Sequence, residues 1–183
     1  MAKVVAKVYG DALFDLAVET KQLDQVEEEV KALKETILEN DELNQFMNHP
    51  KISKEEKITA LENIYKGMLS DTVVGFLVTI VEKGRYQEIE AIITYVEERI
   101  REYKKIGKAL VVSAFELNDE QKDQIENRLL QLTDYVDFQM DFQVDASLIG
   151  GLIIRIGDRV VDSSIKSKIE LMKKDLLKLQ LSN

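Results

Sequence analysis

Cysteine is missing altogether from this chain of 183 residues. With it go disulfides, thiolate zinc sites and thiol nucleophiles. A single histidine, His49, leaves no serine–histidine pair and no two-histidine metal motif. Basic charge is also short. The net charge is −9, whereas nucleic acid calls for a basic surface and so does adsorption to anionic lipid. No apolar run approaches the roughly 20 residues that span a bilayer, the run from Val73 to Val81 included, so direct membrane insertion is not expected. The opening stretch MAKVVAKVYGDALF lacks a compact apolar core with a small-residue cleavage site and carries Asp11, unlike a targeting segment. What remains, 45% hydrophobic and 32% charged, is the composition of a soluble globular protein with one ordinary domain or two small ones.

Read in order, the first half is helical. Lys3 to Glu19 forms a helix with Val5, Tyr9, Ala12, Leu13 and Leu16 in one stripe, broadened by Val4, Val8 and Phe14. One core needs an apolar face of roughly 100°, so this helix is either central to a bundle or shares its second face with a partner helix. Gly10 costs about 1 kcal/mol against alanine in mid-helix, which a close helix–helix approach would justify. Leu23, Val26, Val30, Leu33 and Ile37 give a second, narrower stripe. Asp41 to Asn48 is a short helix stopped by Pro50, the only proline, and His49 beside it reads as a turn residue. Ser53 and Glu56 make a capping box for a helix with Ile58, Leu61, Ile64, Tyr65 and Met68 inward. Ser70 or Asp71 caps the next helix, VVGFLVTIVEK, apolar nearly all round and ending at Gly84. Such a helix is either fully buried or shared. A sixth, long amphipathic helix carries Ile89, Ile92, Ile93, Val96, Ile100 and Tyr103.

At Ile106 and Gly107 the period changes. KALVVSA reads as a strand, and Asn118 with Gln121 forms another capping box, opening a helix with Ile125, Leu129 and Leu132. Phe138, Met140, Phe142 and Val144 then alternate with polar residues, predicting a strand with one wet face. Gly150 and Gly151 fall in a strand pattern, and a tight turn at Gly157–Asp158 joins two short strands. Ser163 and Ser164 stand where a final amphipathic helix begins, with Ile165, Ile169, Met172, Leu176 and Leu179 in its stripe. The fold class expected is α+β and mainly helical: a six-helix bundle over residues 1–105, then a small α+β domain over 106–183 with a short sheet and a C-terminal helix.

No cofactor or metal motif emerges from this pattern. Gly150, Gly151 and Gly157 do not build a phosphate-binding loop. Asp158 and Asp162, taken with Arg155, could be imagined as a carboxylate pair, but aspartates at turn edges usually serve the turn. The sequence offers interfaces. Helix one and the helix from Val73 to Val81 have spare apolar surface, and a groove between two such helices takes an amphipathic helix.

The segment LIGGLIIRIGDRVVDSSIKSKI resembles the C-terminal signature of the delta subunit of F-type ATP synthases, called the oligomycin-sensitivity-conferring protein in mitochondria. Gly150, Gly151, the run LIIRIGD with Gly157 and Asp158, then Asp162 and Ser164 carry the likeness; Ser163 stands where that family usually has glycine. AKVYGDALFDLA is similar to the family's opening motif, with Gly10 replacing the usual alanine. FMNHPKISKEEK, GFLVTIVEKGR and KALVVSAFEL follow in the family's order, so the likeness runs over essentially the whole chain.

The resemblance implies a non-catalytic stator subunit, one copy per complex, that ties the catalytic head to the peripheral stalk so that the rotor turns against a fixed head. It implies that the helical domain binds the N-terminal helix of an alpha subunit. By position, Val5, Tyr9, Ala12, Leu13 and Leu16 with Val73, Phe76, Leu77 and Ile80 would line that groove. It implies that the C-terminal region binds the b subunits, for which Ile169, Met172, Leu176 and Leu179 are the candidates. Gly150, Gly151, Gly157, Asp158, Asp162 and Ser164 are expected to shape the fold. The expected location is peripheral, on the cytoplasmic face of a bacterial membrane. A generic helical adaptor accounts for the bundle as well, but not for the C-terminal signature.

Overall fold

Six helices follow one another before any strand: α1 (Ala2–Glu19), α2 (Leu23–Glu39), α3 (Asp41–Asn48), α4 (Lys54–Tyr65), α5 (Asp71–Glu82) and α6 (Ile89–Tyr103). The computed structural model describes residues 2–181, with side chains for residues 3–174. The chain divides into two units, Met1–Tyr103 and Lys104–Asn183.

Local chemistry sets the helix ends. Asn40 accepts a bond from the Leu43 amide at the start of α3. Ser53 and Glu56 exchange both bonds of a capping box at α4, and those bonds hold the Glu56 carboxyl below its ordinary pKa. Ser70, not Asp71, caps α5. Gly84, at φ +65°, closes that helix in the left-handed region that glycine enters freely. His49 ends α3, its carbonyl taking the Lys57 ammonium at 2.9 Å.

The bundle core draws on every helix: Leu13, Val30, Leu33, Met47, Leu61, Val73, Leu77, Ile80, Ile92, Ile93 and Ile100 are among its buried residues. α1 packs chiefly on α6. Gly10 makes that possible, because a Cβ there would run into the Tyr95 ring. Around this contact the Tyr95 hydroxyl donates to Asp11 at 2.8 Å, Phe14 meets Tyr103 edge-on at 5.4 Å, and the Arg99 guanidinium lies 5.0 Å from the Phe14 ring centre. Ile64 and Met68, expected inside, are exposed. α4 ends at Tyr65 and the chain turns at Gly67 (φ +82°), so Met68 no longer follows the helical stripe.

The second unit is an α+β layer pair. β1 (Ile106–Ser113), β2 (Asp137–Val144), β3 (Leu152–Ile156) and β4 (Arg159–Asp162) form a sheet in the order β2-β1-β3-β4. β1 and β2 are parallel, which requires the crossover helix α7 (Asp119–Leu132). The other pairs are antiparallel, with Ala109 opposite Ile156, Val111 opposite Ile154, and Ile154 opposite Val161. α8 (Ile165–Leu181) follows β4. The core is small: Ala109, Leu129 and Phe138, with Ile125, Met140, Ile154 and Ile156 partly buried against them. The alternation in β2 therefore only half describes it. Phe138 is buried, Met140 and Phe142 are partly so, and Val144 is open.

Candidate interaction surfaces

On α1 the buried line is Ala6, Leu13, Phe14 and Ala17, with Gly10 among them. Beside it runs a second line. Val5, Tyr9, Ala12 and Leu16 step by four, three and four residues, so they share one strip. Val5 and Tyr9 are half-buried, Ala12 and Leu16 are exposed, and Val4 and Val8 widen the strip on its solvent side. Four residues expected to face a partner belong instead to the core. Leu13, Val73, Leu77 and Ile80 have 2%, 0%, 1% and 0% of their surface exposed. Their side chains point between the helices, so no docking helix reaches them in the closed bundle. Of the α5 candidates, Phe76 stays at the border, half-buried against the core.

In the second unit the glycine-rich signature has a geometric reason. Gly150 and Gly151 lie in a bend before β3, not within a strand as their neighbours' β-propensity suggests. A Cβ on Gly150 would sit 2.6 Å from Ile165 Cδ1 at the start of α8. Gly151 has φ +76°, and a Cβ there would come within 2.5 Å of the Ser163 carbonyl oxygen. The Ile165 amide closes the junction by donating to the Gly150 carbonyl at 2.9 Å. Gly157, at φ +54°, and Asp158 form the tight turn between β3 and β4.

Asp162 and Ser164 together start α8. The Asp162 carboxylate accepts from the Ser164 amide at 2.8 Å and from the Ser167 hydroxyl at 2.6 Å. The buried Ser164 hydroxyl accepts from the Ser167 amide at 3.2 Å. Hydrogen bonds from Ser167 and Ser164 hold Asp162 below its ordinary pKa. Ser163 needs no left-handed backbone. Its amide and hydroxyl both donate to the Leu152 carbonyl, at 3.0 and 2.8 Å. These residues build a junction and are not grouped for chemistry.

Among the described residues no group of carboxylates and histidine could hold a metal ion. The phenol of Tyr86 is pushed up by burial and then by neighbouring Tyr65, and burial likewise raises Tyr65. A phenol shifted upward is poorly matched to proton transfer near neutral pH. No described helix is long and apolar enough to cross a membrane.

Two further apolar features lie in the second unit. On α8, Ile169 and Met172 are 51% and 66% exposed, whereas Leu176 and Leu179 lie outside the described side chains. Between α7 and the β3–β4 half of the sheet runs a cleft of about 560 Å³, floored by Leu152, Ile154, Ile156 and Val161. Sequence reading overlooks this cleft. The signal lies in the period-two residues of β3, but which face they share depends on a strand order that periodicity does not give.

The chain matches the family model described as ATP synthase delta (OSCP) subunit over residues 5–176. It is 58% identical over 181 residues to the ATP synthase subunit delta of Lachnoclostridium phytofermentans, covering 99% of this chain and 100% of that one. It is 34% identical to the ATP synthase subunit delta of Alkalihalophilus pseudofirmus, covering 96% of each. Its fold is similar to that of a chain in the cryo-EM structure of the Toxoplasma gondii mitochondrial ATP synthase hexamer. The TM-score is 0.71 at 18% identity, over 94% of this chain and 97% of the other.

Proposed function

The chain belongs to the ATP synthase delta (OSCP) subunit family, whose members sit in the stator linking head to peripheral stalk, and from that premise we propose that it anchors each end of that link with a different unit. The helical unit (1–105) takes the amphipathic N-terminal helix of one alpha subunit. The α+β unit (106–183) takes the b subunits. The chain carries out no chemistry of its own and is present once per complex, at the cytoplasmic face of a bacterial membrane. Its acidic charge and the bacterial relatives support that location.

One observation carries the head-binding part. α1 shows an apolar strip, Val5, Tyr9, Ala12 and Leu16, beside the buried core, with Val5 and Tyr9 packed on it and Ala12 and Leu16 exposed. Phe76 of α5 borders the core as a further candidate. Such a strip suits an amphipathic helix presenting anchors at helical spacing. A stator must stay attached while the rotor pushes against it. That requires slow dissociation, which buried apolar anchors provide. On the stalk side, Ile169 and Met172 offer exposed apolar surface on a lysine-rich helix.

The test is calorimetric titration of the full chain with a peptide of the cognate alpha subunit's N-terminus, since the chain has no tryptophan to report binding. The expected result is one-to-one binding that Ala12→Asp abolishes. Ala12 is exposed, so the variant keeps the wild-type circular dichroism spectrum. Wild-type binding by a folded Ala12→Asp chain would remove the α1 strip from the interface. No binding by the wild type would favour a helical adaptor of another kind.

A further inference from the structure

We propose that the outer face of α1 pairs with α1 of a second copy of this chain, the two helices antiparallel about a two-fold axis. The pairing covers the head-binding strip while the chain is free. That consequence rests on the head-binding reading above; the pairing itself does not.

The order of charges along α1 points to it. Residues four apart form one ridge on a helix surface. Lys3, Lys7, Asp11, Asp15 and Glu19 make a charged ridge, and Val4, Val8, Ala12 and Leu16 make an apolar one beside it. Val5 and Tyr9 border the apolar ridge on its core side. The charged ridge is sorted, with both lysines first and the three carboxylates after them. A lone helix favours the reverse, acidic residues at its start and basic ones at its end. α1 has no acidic residue in its first turn and no basic one in its last. Its own unit does not compensate this order. Lys3, Lys7, Asp15 and Glu19 have no ion-pair partner among the described residues.

A second copy supplies what is missing. In a two-fold pair every contact occurs twice, with the roles exchanged. An antiparallel pair centred near Asp11 sets Lys3 and Lys7 of each copy against Glu19 and Asp15 of the other. Val4 then faces Leu16 and Val8 faces Ala12, so the apolar ridges meet along their length. A parallel pair would bring ends of like charge together. Only Asp11 approaches its own counterpart. It is also the carboxylate that accepts the Tyr95 hydroxyl at 2.8 Å and has Arg99 at 3.8 Å, so its charge is compensated where two like groups come close.

Val4, Val8 and Leu16 are 68%, 60% and 43% exposed, an apolar ridge of the kind that marks a contact surface. One helix from each copy buries less than the roughly 1,200 Å² of stable complexes. The pair is therefore weak and concentration-dependent, and a helix that binds the strip more tightly displaces it. In the free chain the pairing shields an apolar surface; at the head it gives way.

The test is sedimentation equilibrium of the full chain from roughly 10 μM to roughly 1 mM. The wild type should dimerise reversibly towards the upper end. Val8→Asp, and Asp15→Lys combined with Glu19→Lys, change exposed side chains, so both should keep the wild-type circular dichroism spectrum. Each should weaken the dimer at least tenfold. The lysine pair reduces the overall negative charge, so its loss of dimer cannot come from general repulsion. Adding Lys3→Glu and Lys7→Glu to it reverses the whole order and restores the net charge, and should restore the dimer. A monomer at every concentration overturns the proposal. So does a dimer that Val161→Asp weakens and the α1 variants do not, and so does a fourfold reversal that stays monomeric. A peptide of the cognate alpha subunit's N-terminus should convert the wild-type dimer into a peptide-bound monomer; peptide bound to an intact dimer overturns the shielding. A peptide that fails to bind the dilute, monomeric wild type ends the head-binding reading and leaves the pairing standing.

Discussion

Gly10→Ala should destabilise the helical unit when made alone and stabilise it when Tyr95 is already alanine. The reasoning starts from α1, where Gly10 is buried against α6 and an added Cβ falls on the Tyr95 ring. The ring is not free to swing away. Its hydroxyl donates to Asp11 Oδ1 at 2.8 Å, a bond that leads the causes raising its pKa, and Arg99 sits 3.8 Å from the same carboxylate. Alanine in place of mid-helix glycine gains about 1 kcal/mol. Forcing a methyl into a filled contact costs about 1–3 kcal/mol. The single change therefore comes out between neutral and about 2 kcal/mol destabilising. With Tyr95→Ala the obstruction is gone and the gain of about 1 kcal/mol remains. The coupling between the two sites is thus about 1–3 kcal/mol, well inside what a double-mutant cycle resolves. Urea denaturation followed by circular dichroism at the helical minimum measures it, with the helical unit's transition fitted separately because two units need not melt as one. An equal effect of Gly10→Ala in both backgrounds would refute the reasoning and return Gly10 to the status of an ordinary helix defect.

At the α8 junction, Gly151→Ala places a side chain at φ +76° with its Cβ 2.5 Å from the Ser163 carbonyl oxygen. The left-handed backbone alone costs about 1–2 kcal/mol, so the α+β unit should lose at least that in urea denaturation, with the helical transition unmoved. Ser164→Ala removes the buried cap of α8 and should lower stability by about 1 kcal/mol, read as faster amide exchange over the first turn of α8. Asp162 gives a pH signature. Its folded pKa lies below the ordinary 3.8, so its contribution is full above that value and fades as pH falls through the lower, folded one. Asp162→Asn should therefore abolish the acid-side loss of protection at the Ser164 amide, measured by exchange from pH 6 downwards.

How readable the fold was depended on whether the deciding interactions were local. Ser53 with Glu56 and Asn118 with Gln121 bond across three residues, so the sequence contains the whole interaction. The Gly157–Asp158 turn is local in the same way. Gly10 was readable as an anomaly, but only the structure supplies Tyr95 as its cause. The groove candidates failed where angular resolution ran out. On α1, Ala12 and Leu13 are neighbours in sequence, yet one is exposed and the other is core. On α5, where nearly every position is apolar, periodicity cannot separate Phe76 from Leu77. The α7 cleft failed for another reason. Leu152, Ile154 and Ile156 announce a face, but what covers that face is fixed by β3 lying beyond β1 from α7's partner β2, a long-range fact.

The contrast between the two cores bears on how the link works. The helical unit assembles its core from all six helices, with Val5 and Tyr9 of the α1 strip packed on it and Ala12 and Leu16 left exposed. The α+β unit closes on a cluster centred on Ala109, Leu129 and Phe138, and half of one sheet face opens onto the cleft. A unit of this size with so small a core is marginal by itself. A helix seated over β3–β4 would bury the floor that folding leaves wet. Binding would then stabilise the fold by mass action. Attachment to the head should change the stability of its unit little, whereas attachment to the stalk should raise the melting temperature of the α+β unit well above its free value. A thermal scan of the full chain with each partner peptide in turn separates the two cases. Equal shifts for both units would mean that the smaller core is already sufficient and that the open sheet face has no part in the attachment.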